Sequence, residues 1–151
     1  MGGAQYLQSL YGADVVITGK DFELTVQQSR NSEGSRAFLP PEVEEFTEDQ
    51  SELVVGDTAF TFYITPGHTQ GCLSVDFRVQ DQGQSYRAFV VGGHGTNFNG
   101  LDLAKSFVDS VHRIRKLALE SPQVSVNLAN HPHKNKLFDN LARRENNSSS
   151  N

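Results

Sequence analysis

The sequence predicts an α/β or α+β domain in which helices flank a mixed or antiparallel sheet. Short segments that alternate apolar and polar residues recur through the middle of the chain, as the strands of a half-buried sheet do. Turn residues separate these segments by only a few positions, so hairpins outnumber strand–helix–strand units. Segments with helical periodicity lie before and after them, and this mixture is typical of a layered sheet-and-helix domain.

The first part of the chain predicts two helices and one strand. Residues 4–11 have apolar side chains at helical spacing and end at a glycine suited to a helix C-terminus. Residues 13–18 contain a Val-Val-Ile run that predicts a strand. Residues 21–28 predict a second helix, which starts near Thr18 or Lys20.

The middle of the chain predicts four strands. The clearest is 73–79, where Leu73, Val75, Phe77 and Val79 alternate with polar residues. A turn at 81–84 joins it to its return strand as a hairpin. The other predicted strands share its β-branched and aromatic composition and lie at 51–55, 59–65 and 86–91.

The last third predicts a long helix, a strand and a final helix. Residues 101–120 form the strongest helix, with one apolar stripe along its length. A strand at 124–128 and an amphipathic helix at 134–144 follow. The expected organisation is therefore one domain over residues 1–145 and a polar tail over 146–151.

Composition excludes several classes of function. The chain has 151 residues and a net charge of -5, and it has no basic run, so it is a poor candidate to bind nucleic acid or an anionic membrane. No segment approaches the roughly 20 apolar residues of a membrane span. Cys72 is the single cysteine, which excludes a disulfide within the chain and a cysteine-rich zinc site. The first residues do not resemble a signal peptide, and the compartment stays open.

Two histidines follow predicted strands directly. His68 lies in Thr-Pro-Gly-His-Thr-Gln-Gly after strand 59–65, and His131 lies in Asn-His-Pro after strand 124–128. Side chains at strand ends are well held, and neutral imidazole is a common zinc ligand. A single histidine in a turn is more often structural or exposed, so this pattern alone is a weak signal.

Several segments, taken in order, resemble landmarks of the metallo-β-lactamase superfamily. The heptapeptide around His68 resembles the family's T-P-G-H-T-x-G motif, and the tripeptide around His131 resembles the closing histidine of its metal site. Other segments resemble the helix after the family's first metal motif, the turn before the T-P-G-H-T-x-G strand and a small loop that often carries a metal-bridging Asp. They are residues 2–7, 55–58 and 91–93.

The resemblance implies a particular fold and chemistry. The fold would be part of an αββα sandwich, with two zinc ions in the intact site, His68 as a ligand of the first and His131 as a ligand of the second. A zinc-bound hydroxide would attack a lactam, ester or thioester carbonyl of a small-molecule substrate. Because no cysteine lies at a ligand position, the closest subgroup would be the β-lactamases with a cysteine-free site and their hydrolase relatives.

The sequence departs from the family pattern in two places. The H-x-H-x-D-H segment, which would supply the other ligands, is absent, and Gly93 stands where many members have the bridging Asp. A catalytic zinc needs three protein ligands. We therefore expect an incomplete, C-terminal part of the domain that is inactive alone and binds zinc weakly or not at all, and its status as an enzyme is open.

Alternatives remain for the chain and for its other histidines. The chain is either part of a hydrolase or a non-catalytic module that pairs with a partner or an N-terminal half. His94 either faces the mouth of the site or is exposed, and His133 is expected to point away from His131. With half of the sandwich absent, Phe62, Val75 and similar side chains are expected to face water, and self-association is expected.

Overall fold

A computed structural model describes residues 3–93, 95, 100–133 and 136–148, with side chains described up to residue 143. It contains four α-helices, a short 3₁₀ turn at Gly34–Arg36 and five strands. The helices are α1 (Gly3–Tyr11), α2 (Gly19–Arg30), α3 (Leu101–Leu119) and α4 (Leu137–Ser148). The strands are β1 (Glu52–Val55), β2 (Thr58–Ile64), β3 (Leu73–Asp81), β4 (Gln84–Val90) and β5 (Val126–Leu128). No helix in these ranges is long and apolar enough to cross a membrane.

The strands form one mixed sheet, which confirms the predicted fold class. Their order in space is the same as in the chain, β1-β2-β3-β4-β5. The first four strands pair antiparallel, as successive hairpins do, and β5 pairs parallel to β4 after the crossover through α3. In the β3–β4 hairpin, Gln82 and Gly83 have φ angles of 50° and 81°, the pair of positive values that a tight type I′ turn requires.

The two faces of the sheet have different chemistry. One face carries Phe60, Phe62, Val75 and Phe77, which are cross-strand neighbours in the β2–β3 pair. The rings of Phe60 and Phe77 pack at 5.0 Å between centroids. The other face carries the polar residues of β3, and Arg113 of α3 lies over the ring of Tyr63 on that face. On that face Ser74 is fully buried and Asp76 is nearly so, although the alternating pattern of this strand is typical of one whose polar face is exposed to solvent.

Arg87 makes this polar face possible by pairing with Asp76. The guanidinium donates to both carboxylate oxygens of Asp76, with Nε distances of 3.1 and 2.9 Å, and both side chains are about nine-tenths buried. Its Nη1 donates to the carbonyl oxygens of Glu120 and Pro122, just after α3. The carboxylate raises the pKa of Arg87 further above its usual range. This cluster therefore ties the end of α3 to the centre of the sheet.

The structure corrects the prediction for the segment before α2. Residues 13–18 were expected to form a strand, but they pair with no strand of the described sheet. A strand needs a ladder of hydrogen bonds to a neighbouring strand. This segment instead makes isolated backbone hydrogen bonds, such as the one that the amide of Thr47 donates to the carbonyl oxygen of Ile17. Of the two predicted starts of α2, Thr18 is the N-cap, and its hydroxyl accepts from the amide of Asp21.

The C-terminal helix also differs from its predicted bounds. It begins at Leu137 because Lys136 has a φ of 53°, a left-handed conformation that an α-helix does not contain. It continues to Ser148, three residues into the segment that was expected to be tail. The polar composition of residues 145–148 does not prevent them from adopting helical backbone.

The exposed apolar surface differs in part from the prediction. Phe62, expected to face water, is only 8% exposed, and Val75 and Phe77 are half-buried. Large exposed apolar side chains lie on α1, β1, α3 and α4 and in the segments before β1. On these elements they are Tyr6, Leu7, Leu10 and Tyr11 on α1, Leu53, Val54 and Val55 on β1, Leu101, Val108, Val111 and Leu119 on α3, and Leu137, Phe138 and Leu141 on α4.

Replacing Arg87 with Met is expected to lower the free energy of unfolding by about 3 kcal/mol, because the buried carboxylate of Asp76 loses its charge partner. Urea denaturation measures this change. The double variant with Asp76→Leu recovers most of the loss, since it no longer buries an unpaired charge. Arg78→Met, at an exposed position of the same hairpin, serves as the control and costs less than about 0.5 kcal/mol. Equal costs for Arg87→Met and Arg78→Met would contradict the structural role of the pair.

Candidate functional site

The C-terminal ends of β2, β4 and β5 lie at the same end of the sheet. Ile64 at the end of β2 pairs with Leu73 at the start of β3, and Val90 at the end of β4 pairs with Val75 and with Leu128 at the end of β5. The loops that follow β2, β4 and β5 therefore leave the sheet on the same side. His68 lies in the first of these loops and His131 in the last, and the loop after Val90 runs between them.

The loop after β2 bends sharply at Gly67. The φ of Gly67 is 152°, and a Cβ atom there would lie 2.5 Å from the ring of Phe107 in α3. Its amide donates to the carbonyl oxygen of Thr69 at 3.0 Å and closes the bend. Only glycine fits this contact, so the Pro-Gly-His sequence directs His68 toward the loop after β4.

The imidazole of His68 is oriented by a backbone carbonyl. Its Nδ1 lies 2.8 Å from the carbonyl oxygen of Gly95, and a carbonyl only accepts, so Nδ1 carries the proton. In the neutral ring the lone pair is then on Nε2, which is the arrangement of a metal-ligating histidine held by an outer hydrogen bond.

Gly93 packs directly against His68. A Cβ atom at position 93 would lie 2.1 Å from Cβ of His68, so this position accepts no side chain without moving the histidine. This is the position at which the superfamily that the sequence resembles often has a bridging Asp. The close packing of the two loops leaves no room for a carboxylate side chain at this position.

Asp21, at the start of α2, holds the second half of the His68 loop. Its carboxylate accepts from the amide of Gly71 at 2.8 Å and from the hydroxyl of Thr69 at 2.7 Å. The hydroxyl of Thr18 donates to the carbonyl oxygen of Gly71 at 2.9 Å. A Cβ atom on Gly71 would lie 2.0 Å from that hydroxyl oxygen, so glycine is required here too.

Asp21 carries no sign of this role in the sequence. The spacing of Thr18 and Asp21 indicates a capped helix start, because a Thr three residues before an acidic residue is a known N-terminal pattern. It does not indicate that the same two side chains reach a loop some fifty positions later. No signal within one sequence identifies that contact.

Helix α3 holds the first half of the His68 loop. The hydroxyl of Ser110 donates to the carbonyl oxygen of Pro66 at 2.7 Å, and Arg113 donates to that of Ile64 at 3.0 Å. Arg113 also pairs with Asp49 at 2.8 Å and lies over the ring of Tyr63. The guanidinium holds the pKa of Asp49 below its usual range. The loop is thus bonded to α2 on one side and to α3 on the other.

His131 follows the end of β5 and lies beside the loop that follows β4. The side-chain amide of its neighbour Asn130 donates to the carbonyl oxygen of Gly92 at 3.2 Å. His131 itself is exposed. Its ring lies beside that of His133, with 5.5 Å between centroids, so the expectation that His133 points away from it is wrong. The reason is that residues 131–133 form a turn, in which alternation along a strand does not apply.

The donor set in the described ranges does not complete a zinc site. No group of three or more His, Cys, Asp or Glu side chains is placed there to hold one ion, whereas a catalytic zinc has three protein ligands. Cys72 is buried and lies against Gly92, and burial raises the pKa of its thiol, as suits a packed residue rather than a ligand. His94 lies outside the residues that the structure describes.

Several solved structures with a similar fold are described as metallo-β-lactamases. A mutant of FEZ-1 from Legionella gormanii superposes with a TM-score of 0.80 at 19% identity, over 97% of this chain and 59% of that one. An enzyme from Cronobacter sakazakii gives 0.76 at 21% identity, over 96% and 54%. GOB-18 from Elizabethkingia meningoseptica gives 0.75 at 18% identity, over 91% and 54%. No protein-family model and no curated protein matches the sequence.

The comparison shows that this chain has the metallo-β-lactamase fold. The resemblance predicted from the sequence is thereby confirmed for the fold. The match covers nearly all of this chain but between 54% and 59% of the three solved chains, so the chain spans little more than half of their length.

Replacing Asp21 with Asn is expected to loosen the loop that carries His68. Asparagine keeps an acceptor oxygen but loses the negative charge that strengthens the bonds from Gly71 and Thr69, at a cost of roughly 1–3 kcal/mol. Hydrogen exchange of the Gly71 amide measures the loosening and becomes faster in the variant. Glu23→Gln, on an exposed position of the same helix, is the control and leaves this exchange unchanged. Unchanged protection of Gly71 in Asp21→Asn would contradict the assignment.

Proposed function

We propose that this chain is part of a metal-dependent hydrolase that cleaves a lactam, ester or thioester carbonyl bond, with His68 and His131 each a ligand of a different zinc ion. The observation that supports it most is the placement of both histidines at one edge of a metallo-β-lactamase fold, in loops that flank residues 91–93. Several of the solved structures that match are described as metallo-β-lactamases, and two of these are described as subclass B3.

The hydrogen bond from His68 to Gly95 supports the ligand role in particular. A histidine that is only exposed gains little from a fixed ring, whereas a ligand benefits from a defined tautomer and orientation. The bonds from Asp21 and Ser110 fix the backbone on either side of the same histidine. The chain thus presents one imidazole nitrogen from a loop with little freedom to move.

The proposal requires ligands from outside this sequence. With one histidine for each ion and no H-x-H-x-D-H segment in the sequence, the residues present do not support catalysis alone. A polypeptide that supplies this segment would complete the site. In its absence the chain is expected to be inactive.

The chain alone is expected to bind zinc with a dissociation constant of roughly micromolar or weaker, because each ion would have one protein ligand where structural sites have four. Equilibrium dialysis against a mild chelator measures the retained metal. His68→Asn and His131→Asn each reduce the residual binding, and His112→Asn, exposed on α3, is the matched control. Stoichiometric zinc that survives dialysis would show that the chain has further ligands, with His133 the first to test.

A second candidate is a non-catalytic module that pairs with another polypeptide. The exposed apolar side chains of α1, β1 and α4 favour it, because groups of large apolar side chains left exposed on one element often mark an interface. β1 is also an edge strand, with Leu53 40% exposed and Val54 65% exposed, and edge strands invite pairing with another chain. Both candidates require a partner, and they differ in whether the completed assembly retains zinc and hydrolyses a substrate.

Mixing the chain with a polypeptide that carries the H-x-H-x-D-H half of a matched subclass B3 enzyme tests both candidates. Light scattering is expected to show self-association of the chain alone and a defined complex in the mixture. Hydrolysis of a chromogenic cephalosporin, a nitrophenyl ester and an acyl thioester then reports activity.

Under the hydrolase proposal, His68→Asn and His131→Asn lower hydrolysis by the complex about 100-fold or more, since loss of an outer partner of a ligand alone costs about 10–100-fold. His112→Asn leaves the rate unchanged. A complex without zinc or hydrolysis would favour the non-catalytic module. A chain that is monodisperse, melts sharply at high temperature and forms no complex with the added half would contradict both candidates.

A further inference from the structure

A cavity of about 350 Å³ lies between α3 and the loops that follow β2 and β4. Its volume is at the lower end of the range for small-molecule sites. Its walls are mainly apolar, with His68 at one side and Arg115 among the lining residues. The apolar lining comes from Val91, Phe107, Val111 and Ile114.

The hydroxyl groups in the lining already have partners. Ser110 donates to the carbonyl oxygen of Pro66, and the hydroxyl of Thr65 lies 2.7 Å from that of Ser74. A polar occupant would therefore lose its hydrogen bonds to water and find few replacements, which disfavours it. An apolar group has no hydrogen bonds to water to lose, and its transfer out of water is favourable.

The charge at the cavity is positive. Among the described residues of the lining, Arg115 carries the formal charge and none is acidic. The ion pairs found in the described part of the chain are Asp76–Arg87 and Asp49–Arg113, so the guanidinium of Arg115 has no carboxylate partner there. Arg115 is also exposed, which leaves it free to receive an anion from solution. A guanidinium matches a carboxylate in geometry as well as in charge.

We propose that this cavity binds a small amphipathic carboxylate, such as a medium-chain fatty acid, with its chain between Phe107, Val111 and Ile114 and its carboxylate on Arg115. The site goes beyond the proposed hydrolase, because it needs no metal and no second polypeptide. The chain alone is therefore sufficient to test it, and the outcome is separate from that of the hydrolysis assay.

Titration of the full chain with octanoate, followed by calorimetry and by methyl shifts of Val91, Val111 and Ile114, tests the proposal. Octanol and octylammonium are the matched neutral and cationic probes. Octanoate is expected to bind most tightly and to shift these methyl signals. Arg115→Gln weakens octanoate binding about fivefold, the upper effect of a partly exposed ion pair, and leaves octanol binding unchanged. Lys116→Gln, an exposed cation outside the lining, is the control.

A second pair of variants blocks the cavity. Val111 and Val108 are 45% and 51% exposed on the same helix, but only Val111 belongs to the lining. Val111→Trp is expected to abolish octanoate binding, whereas Val108→Trp retains it, with circular dichroism confirming that both fold. Equal binding by both variants, or binding of octylammonium as tight as that of octanoate, would overturn the proposal. Absence of octanoate binding by the unaltered, folded chain would overturn it as well.

Discussion

The arrangement of the candidate site depends on the contact between the start of α2 and the loop after β2. The carboxylate of Asp21 accepts from the amide of Gly71 and the hydroxyl of Thr69, while Thr18 caps α2 and donates to Gly71. These bonds satisfy backbone groups of both the helix end and the loop, which otherwise need water. Since Thr18 is buried, no water replaces them, and the loop follows the helix.

The opposite side of the loop is held by α3, and the two anchors together explain why His68 is well placed. Ser110 and Arg113 bond to carbonyl oxygens at the end of β2, and Arg87 bonds to those just after α3. Side chains of α3 thus bond to the end of β2, and Arg87 of β4 bonds to the segment just after α3. The polar face of β3 is buried for this reason, although its sequence pattern is typical of a wet face.

Local patterns in the sequence predicted the elements well, and contacts between distant segments account for the errors. The four middle strands, α3 and the family resemblance follow from alternation, helical spacing and the motif around His68, which are all local. Residues 13–18 have strand composition, but strand formation depends on a neighbour that composition does not report. The role of Asp21 and the proximity of His133 to His131 depend on tertiary contacts and a turn, respectively, and neither has a local signature.

The parallel pairing of β5 has a consequence for the order in which the domain assembles. β1 to β4 form from hairpins between neighbouring segments, whose short loops close at little entropic cost. β5 has three residues and pairs with β4 only after α3 has crossed the sheet. Contacts of such sequence separation form slowly, and a strand this short is weakly held. His131 therefore reaches its place late in folding, and the end of the chain that carries it is expected to be the first to open.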